Sequence, residues 1–265
     1  MSNFFHGKVA IVTGSSNGIG REIARQFAER GARVTITGRK IDGLKKTREV
    51  CIDAGAKNDN ILEVVGDVTD DSALKRIVDE TVSAFGQIDV LVNNAGARMP
   101  EERQFADQSM DILDTSININ TKSVIRLCQL AAPHLSKTKG AIVNISSVSA
   151  LPHTRKTGLF YGIAKAALDQ ATVLLAGTLG RQGIRVNSVN PGLIRSDFQR
   201  RVGADEEAIG KMYESLSSVI SGRIGEPDDI AKLVLFLSDR TQSEFIVGQK
   251  IVCDGGASIE NKHLS

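Results

Sequence analysis

Short apolar segments alternate with longer amphipathic segments along almost the whole chain. After the first apolar segment, Ile19, Ile23 and Phe27 recur at helical spacing on one face, and Gly31 then stops the helix. The apolar segments are short, β-branched and bounded by glycine or polar residues, as strands are. The predicted strands are 8–14, 33–39, 60–68, 88–96, 140–147, 184–192 and 248–256. The predicted helices are 18–32, 41–56, 72–86, much of 107–136, about 160–181 and 227–239.

Strands that alternate with helices in this way indicate parallel βαβ units. Several predicted strands are apolar throughout, as expected where helices cover both faces of a sheet. The sequence therefore predicts an α/β protein with a single doubly wound (Rossmann) parallel β-sheet and helices on both faces. One domain of this type accounts for residues 1–265.

Residues 195–225 break the alternation of strands and helices. They follow the carboxyl end of a predicted strand, where ligands bind in such sheets, so this insertion is a candidate substrate loop. Its apolar residues either line a pocket or pack as an ordinary helix. They are Phe198, Met212, Tyr213 and Leu216.

Composition and charge narrow the class of protein. The 265 residues are 41% hydrophobic, which supplies a sizeable core, and 33 basic against 31 acidic residues leave a formal charge of +2. This near-balance gives no support for nucleic acid or membrane binding, and no apolar stretch approaches the ~20 residues that span a bilayer. Cys51, Cys128 and Cys253 are far apart and form neither a disulfide nor a metal-binding pattern. We expect a cytoplasmic protein with reduced thiols and no metal site.

The first candidate site is the glycine-rich turn "TGSSNGIG", which joins the first predicted strand to the first helix. Gly14, Gly18 and Gly20 permit a tight turn, close backbone approach to a pyrophosphate and close helix packing. The helix that follows offers free N–H groups and the positive end of its dipole. An ordinary glycine-rich turn is the alternative, but the position at the opening of the first βα unit favours nucleotide binding.

The end of the second strand bears on the choice of nucleotide. In this fold that position faces the adenosine ribose, and an acidic residue there binds the 2′-hydroxyl. This chain has Gly38 and Arg39 instead, and a guanidinium binds a 2′-phosphate in bidentate fashion. The pattern favours NADP(H) over NAD(H), with a merely surface-exposed arginine as the alternative.

Two shorter motifs follow at later strand ends. In "GDV", the Asp67 carboxylate either accepts a hydrogen bond from the adenine amino group or caps the following helix. In "NNAG", Asn93 and Asn94 are suited to lock neighbouring backbone, while Gly96 lets the nucleotide lie close. As a bare tetrapeptide, "NNAG" is also compatible with an ordinary turn.

Tyr161 and Lys165 in "FYGIAK" are four residues apart and share one face of a predicted helix. A free tyrosine has a pKa of about 10, and a nearby ammonium lowers it by about 1–3 units. Such a tyrosine passes a proton to or from an oxygen during hydride transfer. The strand "AIVNISS" ends in Ser146 and Ser147, which bring a hydroxyl to the same sheet edge. The alternatives are an interfacial tyrosine on an amphipathic helix and a turn serine.

The ordered set of motifs resembles the classical short-chain dehydrogenase/reductase family over nearly the full chain: "TGSSNGIG", "DV", "NNAG", "ININTKSV", "NISS", "YGIAK", "VNPG", "EPDDIA" and "GQKIVCDGG". The resemblance implies a catalytic tetrad of Asn120, Ser147, Tyr161 and Lys165, with Asn118 as the rival of Asn120. It implies Tyr161 as acid/base, Ser147 as the donor to the carbonyl, Lys165 as pKa modifier and ribose ligand, and Asn120 at a helix kink with a relay water.

The same resemblance implies the cofactor-binding residues. They are Gly14, Ser16, Asn17, Gly18, Ile19, Gly20, Arg39, Asp67, Val68, Asn94, Ala95, Gly96, Tyr161, Lys165, Pro191, Gly192, Ile194 and Ser196. The chain departs from the family pattern at Ala164 and Ser196, where many members have serine and threonine. It also has Asn17 where many NADP-dependent members have a basic residue, which leaves most of the nucleotide preference to Arg39.

The leading hypothesis is an NADP(H)-dependent oxidoreductase acting on a small carbonyl or secondary alcohol; a catalytically silent nucleotide-binding sensor or scaffold is the alternative. Loops 97–106 and 151–159 are expected to form pocket walls, where Arg155 and Lys156 either favour an anionic or polar substrate or are simply exposed. His153 is interpreted as an ordinary residue of loop 151–159. The family resemblance and the apolar run Val173, Leu174 and Leu175 favour a homo-oligomer, either dimer or tetramer.

Overall fold

A computed structural model of the chain describes residues 4–101, 104–152, 158–196, 210 and 220–259. Within these ranges one sheet is formed by parallel strands β1 (Val9–Thr13), β2 (Arg33–Gly38), β3 (Ile61–Val65), β4 (Val90–Asn93), β5 (Ala141–Ile145), β6 (Arg185–Pro191) and β7 (Lys250–Cys253). Their order is β3-β2-β1-β4-β5-β6-β7. This is the predicted doubly wound sheet, with shorter strands than the apolar pattern suggested.

Helices cover both faces of the sheet, because the strands present alternate residues to opposite sides. On β1, Ala10 and Val12 join one core while Ile11 joins the other. The helices are α1 (Gly18–Glu29), α2 (Ile41–Asp53), α3 (Asp71–Phe85), α4 (Met110–Ile117), α5 (Ser123–Thr138), α6 (Leu159–Gly180), α7 (Pro227–Ser238) and the short α8 (Arg240–Ser243).

The helix predicted within 107–136 is divided in the structure. It begins at Met110, and a π-helical turn, Asn118–Lys122, separates α4 from α5. Gly31 has φ 79° just beyond α1, as expected for a glycine that stops a helix. Most of the candidate substrate loop, including its four apolar residues, lies outside the described residues, as do His153, Arg155 and Lys156.

The topology fixes the place of the candidate site. The chain runs outward from β1 to β3 and then restarts at β4 on the other side of β1, so the crevice at the carboxyl ends of β1 and β4 is a topological switch point. The glycine-rich turn follows β1 and "NNAG" follows β4. The segments after β5 and β6 reach the same edge, because all these strands are parallel.

At the amino ends of the strands, a buried carboxylate connects β1 to β4. Asp89, which is 5% exposed, accepts hydrogen bonds from the ammonium of Lys8 (3.0 Å), the backbone N–H of Val9 (2.9 Å) and the amide of Gln87 (2.6 Å). These bonds tie the start of β1 to the start of β4. A buried charge of this kind is tolerated only with such partners.

Asp89→Asn should lower the free energy of unfolding by about 1–3 kcal/mol, because one donor of the new amide faces groups that can only donate. Denaturant unfolding measures the change, and Asp53→Asn on the exposed surface is the control. Equal stability of the two variants would contradict a structural role for the carboxylate.

Candidate active site

The glycine-rich turn is built on left-handed backbone and close packing. Gly14 and Gly18 have φ 63° and 53°. A Cβ on Gly20 would lie 2.4 Å from both the Gly14 carbonyl oxygen and the Asn94 side-chain nitrogen. Any larger residue at position 20 would therefore push α1 away from the turn after β4.

The two turns that flank the crevice are joined by a set of hydrogen bonds. Thr13 Oγ1 accepts from the backbone N–H groups of Asn94 (3.0 Å) and Ala95 (2.9 Å). The Asn94 side-chain amide donates to the carbonyls of Thr13 (2.9 Å) and Gly14 (3.0 Å). Asn94 thus locks neighbouring backbone as predicted, and Thr13 is its partner on the other side of the crevice.

The N-terminus of α1 fits a pyrophosphate group. Its first turn holds no acidic residue, whereas those of α2, α3 and α7 do, and the side chain of Asn17 does not cap it. Ser16 lies beside the end of β2, where a Cβ on Gly38 would be 3.3 Å from its Cβ. The side chain of Ile19 packs partly against the core, and the first N–H groups of α1 have no acceptor within the helix.

Arg39 and Asp67 meet at the carboxyl ends of β2 and β3. The guanidinium lies 3.9 Å from the carboxylate, and the two side chains are 73% and 42% exposed. Asp67 also accepts hydrogen bonds from the N–H and hydroxyl of Thr69, while Asp70 provides the cap of α3. Asp67 is therefore not the helix cap, and the Arg39 guanidinium is an exposed cation at the carboxyl end of β2.

The remaining cofactor-binding candidates line the same edge. Val68 packs partly against the core, and Pro191 ends β6 with Gly192 following. Ile194 forms a parallel bridge with Gly225. The Cβ of Ser196 lies 3.3 Å from where a Cβ on Gly18 would stand, so the segment after β6 reaches α1.

Asn120 occupies the π-helical turn and is fully buried. Its amide donates to the carbonyls of Ala97 (2.8 Å) and Ser116 (2.9 Å), and its oxygen accepts from the N–H of Ala97 (3.2 Å). A Cβ on Gly96 would lie 2.9 Å from this oxygen. The asparagine thus holds the segment after "NNAG" at a helix irregularity, and of the two rivals Asn120, not the partly exposed Asn118, points inward.

Ser147 follows β5 and makes a side-chain hydrogen bond with Tyr161. Its hydroxyl also accepts from the N–H of Ser149 (3.0 Å), so it caps a 3₁₀ turn as well, the role held as its alternative. The neighbouring Ser146 is buried and its hydroxyl lies 3.3 Å from the carbonyl of Lys165. Of the two serines, Ser147 is the one beside the tyrosine.

Tyr161 and Lys165 both lie buried on α6, 9% and 3% exposed. The ammonium nitrogen is 5.7 Å from the centre of the tyrosine ring and donates to the carbonyl of Ile145 (2.8 Å). A Cβ on Gly96 would lie 3.3 Å from the same nitrogen. Ser147, Tyr161 and Lys165 therefore converge at the carboxyl end of β5, next to the turn after β4.

The pKa of Tyr161 differs from the sequence-based expectation. Burial raises it to about 12, although the hydrogen bond with Ser147 and the positive charge of Arg98 oppose the rise. Burial also lowers the pKa of Lys165 to about 8, and the charge of Asp169 acts in the opposite direction. The predicted lowering of the tyrosine pKa is wrong for this structure, because burial of the phenol raises the pKa by more than Ser147 and Arg98 lower it.

Two charged residues near the tyrosine were not singled out from the sequence. The carboxylate of Glu101 caps α6 by accepting from the N–H groups of Leu159 (2.7 Å) and Phe160 (3.2 Å). Arg98, three residues earlier, contributes the positive charge felt by Tyr161. No local signal predicts this pairing, because 58 residues separate Glu101 from the helix that it caps.

Comparison with known proteins decides the family. A family model described as Enoyl-(Acyl carrier protein) reductase matches residues 14–258. A short-chain dehydrogenase/reductase of unknown function from Caenorhabditis elegans, solved with cofactor, is 42% identical with a TM-score of 0.95, covering 99% of both chains. This chain is a short-chain dehydrogenase/reductase.

Other members of the family differ in their named activities. The chain is 44% identical to a glucose dehydrogenase of Caenorhabditis elegans in its apo form, with a TM-score of 0.83 over 97% of this chain and 99% of that one. It is 37% identical to a (2S)-[(R)-hydroxy(phenyl)methyl]succinyl-CoA dehydrogenase subunit of Thauera aromatica, over 95% of this chain and 97% of that one. Hydride transfer between a nicotinamide cofactor and an alcohol or carbonyl carbon is thus the chemistry of its relatives.

Two further observations describe this short-chain dehydrogenase/reductase. In the described ranges, α6 is the one helix long and apolar enough to cross a membrane, yet it packs against β6 as a core helix. The same ranges hold no cluster of histidine, cysteine and carboxylate side chains suited to a metal ion, and the three cysteines are free thiols.

Gly20→Ala should abolish or severely weaken nicotinamide dinucleotide binding, because the added Cβ would meet the Gly14 carbonyl and the Asn94 amide at 2.4 Å. Fluorescence titration with NADPH measures the loss. Gly177→Ala on α6 is the matched control, since a Cβ there meets nothing within 4 Å and replaces a helical glycine. Normal NADPH affinity in Gly20→Ala would overturn this account of the turn.

Proposed function

We propose that this short-chain dehydrogenase/reductase is an NADP(H)-dependent carbonyl reductase, and that Tyr161 is its acid/base. The observation that carries the proposal is the convergence of Ser147, Tyr161 and Lys165 beside the crevice between β1 and β4. A nicotinamide held in this crevice would supply the hydride for the carbonyl carbon. The protein's own task is to hold the carbonyl and deliver a proton to its oxygen.

Each residue of the group has a separate part in this task. The Ser147 hydroxyl donates to the substrate oxygen and so fixes it beside Tyr161. The phenol then gives its proton to the oxygen, and the Lys165 ammonium stabilises the phenolate that remains. Asn120 holds the neighbouring backbone and, by family resemblance, a water that returns the proton.

The electrostatics keep the phenol of Tyr161 in the form of a proton donor. Because burial raises the pKa of Tyr161 to about 12, the phenol is protonated at neutral pH and ready to act as an acid. The pKa of Lys165, about 8, leaves the ammonium largely protonated at the same pH.

Tyr161→Phe should retain NADPH binding and lose turnover by about a hundredfold or more, because only the proton donor is removed. NADPH oxidation with a panel of ketones, aldehydes and acyl thioesters measures turnover, and fluorescence titration measures binding. Wild-type turnover that survives in this variant would exclude Tyr161 as the acid.

The preference for NADP(H) is supported by the exposed guanidinium of Arg39 at the carboxyl end of β2. Its contact with Asp67, at 3.9 Å and largely exposed, is too weak to hold it against a phosphate. The 2′-phosphate of NADP(H) would then be the stronger partner of the guanidinium.

Arg39→Asp should lower the ratio of kcat/KM for NADPH to that for NADH by about tenfold or more, through repulsion of the 2′-phosphate. Arg33→Asp makes the same change of charge at the other end of β2 and should leave the ratio unaltered. Equal ratios in the two variants would mean that another group binds the phosphate.

We also propose that the protein is cytoplasmic, which agrees with its free thiols. We propose further that it is a homo-oligomer, dimer or tetramer, as is common in the family. Val173 and Leu174 on α6 are 39% and 61% exposed, while Leu175 packs partly into the core. A second copy of the chain packed against α6 would bury these apolar side chains. Sedimentation showing only monomer at micromolar concentration would oppose this assembly.

A further inference from the structure

The carboxyl end of β5 is held by two buried polar side chains outside the tetrad. On β6, the fully buried Asn190 donates through one amide nitrogen to the carbonyl of Ser147 (3.0 Å) and to the carboxylate of Asp169 (2.7 Å). Asp169 lies on α6 and is 6% exposed. The hydroxyl of Ser188 is within 3.3 Å of this carboxylate and 3.1 Å of the Asn190 amide oxygen.

This arrangement fixes the orientation of the Asn190 amide. A carbonyl and an ionised carboxylate can only accept hydrogen bonds, and the NH₂ group has two protons to give. The amide must therefore turn its nitrogen toward both acceptors. Its partner Ser147 is the residue that would hold the substrate oxygen, so the orientation of Asn190 reaches the reacting group through one hydrogen bond.

Asp169 also stands one helical turn beyond Lys165, about 6 Å along the axis of α6. Burial removes the water that would screen these opposite charges. Around the ammonium, α6 contributes Asp169 and Tyr161, the turn after β4 and the π-helical turn contribute uncharged groups, and β5 contributes the Ile145 carbonyl. The charge of Arg98 acts on Tyr161, so the charge that favours the ammonium is that of Asp169.

We propose that Asp169 and Asn190 are positioning residues for the reduction. Asn190 holds the Ser147 carbonyl at the end of β5, and Asp169 both orients the Asn190 amide and keeps Lys165 in its ammonium form. The inference rests on the proposed function for its effect on turnover. Its electrostatic half concerns Lys165 alone and is testable without any substrate.

The two residues should affect the reaction in distinguishable ways. Removing the charge of Asp169 changes the pH range in which the ammonium is present. Removing the amide of Asn190 leaves that range unchanged but frees the Ser147 backbone. A merely structural role for Asp169 would leave the pH of the fall in activity unchanged. A merely structural role for Asn190 would lower NADPH affinity and stability together with activity.

The first experiment measures kcat for carbonyl reduction with saturating NADPH between about pH 6 and about pH 10. In the wild type, kcat should fall as pH rises through the Lys165 pKa of about 8, where the ammonium loses its proton. In Asp169→Asn, which keeps the shape but not the charge, the fall should move about one pH unit lower. Asp169→Glu should restore its position, and Asp89→Asn, at the opposite edge of the sheet, should leave it unchanged.

The second experiment titrates the side chain of Lys165 by NMR in protein carrying isotopically labelled lysine, with the resonance assigned by its loss in Lys165→Arg. Exposed lysines titrate near about 10.4, so a lysine near 8 is well separated from them. Its titration should move lower in Asp169→Asn and stay in place in Asp89→Asn. If no carbonyl substrate is reduced, the proposed function is refuted but the role of Asp169 is not. If Lys165 titrates at the same pH in Asp169→Asn as in the wild type, the role of Asp169 is overturned.

The third experiment compares Asn190→Leu with Asn187→Leu. Asn187 is a buried amide on the same strand that donates to the carbonyl of Ile246 (2.9 Å), away from Ser147. Asn190→Leu should lower kcat about tenfold, with NADPH affinity and the pH of the fall unchanged. Asn187→Leu should lose stability but keep kcat, and Asn190→Ala replaces Asn190→Leu if the latter does not fold. Equal kcat in the position 190 and 187 variants would overturn the role of Asn190.

Discussion

The structure around the site depends on one buried ammonium. Lys165 lies almost without solvent contact, where an unpaired charge would be costly, and its nitrogen is held by the carbonyl of Ile145 at 2.8 Å. That hydrogen bond fastens α6 to the end of β5. It also fixes how far Tyr161 on the helix lies from Ser147 after the strand. Tyr161 is one helical turn from Lys165, and Ser147 is two residues beyond Ile145.

The interior behind this bond is polar in a way that ordinary packing does not require. The amide of Asn93 on β4 donates to that of Asn144 on β5 (2.8 Å), whose own nitrogen donates to the hydroxyl of Thr172 on α6 (2.9 Å). These groups are buried and form hydrogen bonds with one another. They therefore fix how β4, β5 and α6 are aligned, which apolar side chains alone would not specify. The reacting edge of the sheet therefore rests on a directional network rather than on hydrophobic contact alone.

Much of this could be predicted from the sequence, and the exceptions have physical reasons. Periodicity and punctuation by glycine were sufficient for the sheet, its helices and the common edge of the motifs, because parallel strands bring their ends together. The direction of the Tyr161 pKa was not predictable, since it depends on how completely the phenol is desolvated. Glu101 and Asn190 escaped notice because their partners are distant in sequence and carry no local signature. The substrate loop stays a prediction, because most of it lies outside the described residues.

The π-helical turn between α4 and α5 has a consequence for how this helix tolerates change. A turn of this kind accommodates one more residue than a regular α-helix, and so rotates everything after it by roughly 100°. The buried amide of Asn120 lies within this turn, where it donates to the carbonyls of Ala97 and Ser116. A chain shortened by a single residue here would form a more regular helix, and α4 and α5 would rotate relative to each other by about 100°. The irregular turn therefore sets how the two helices are oriented around Asn120.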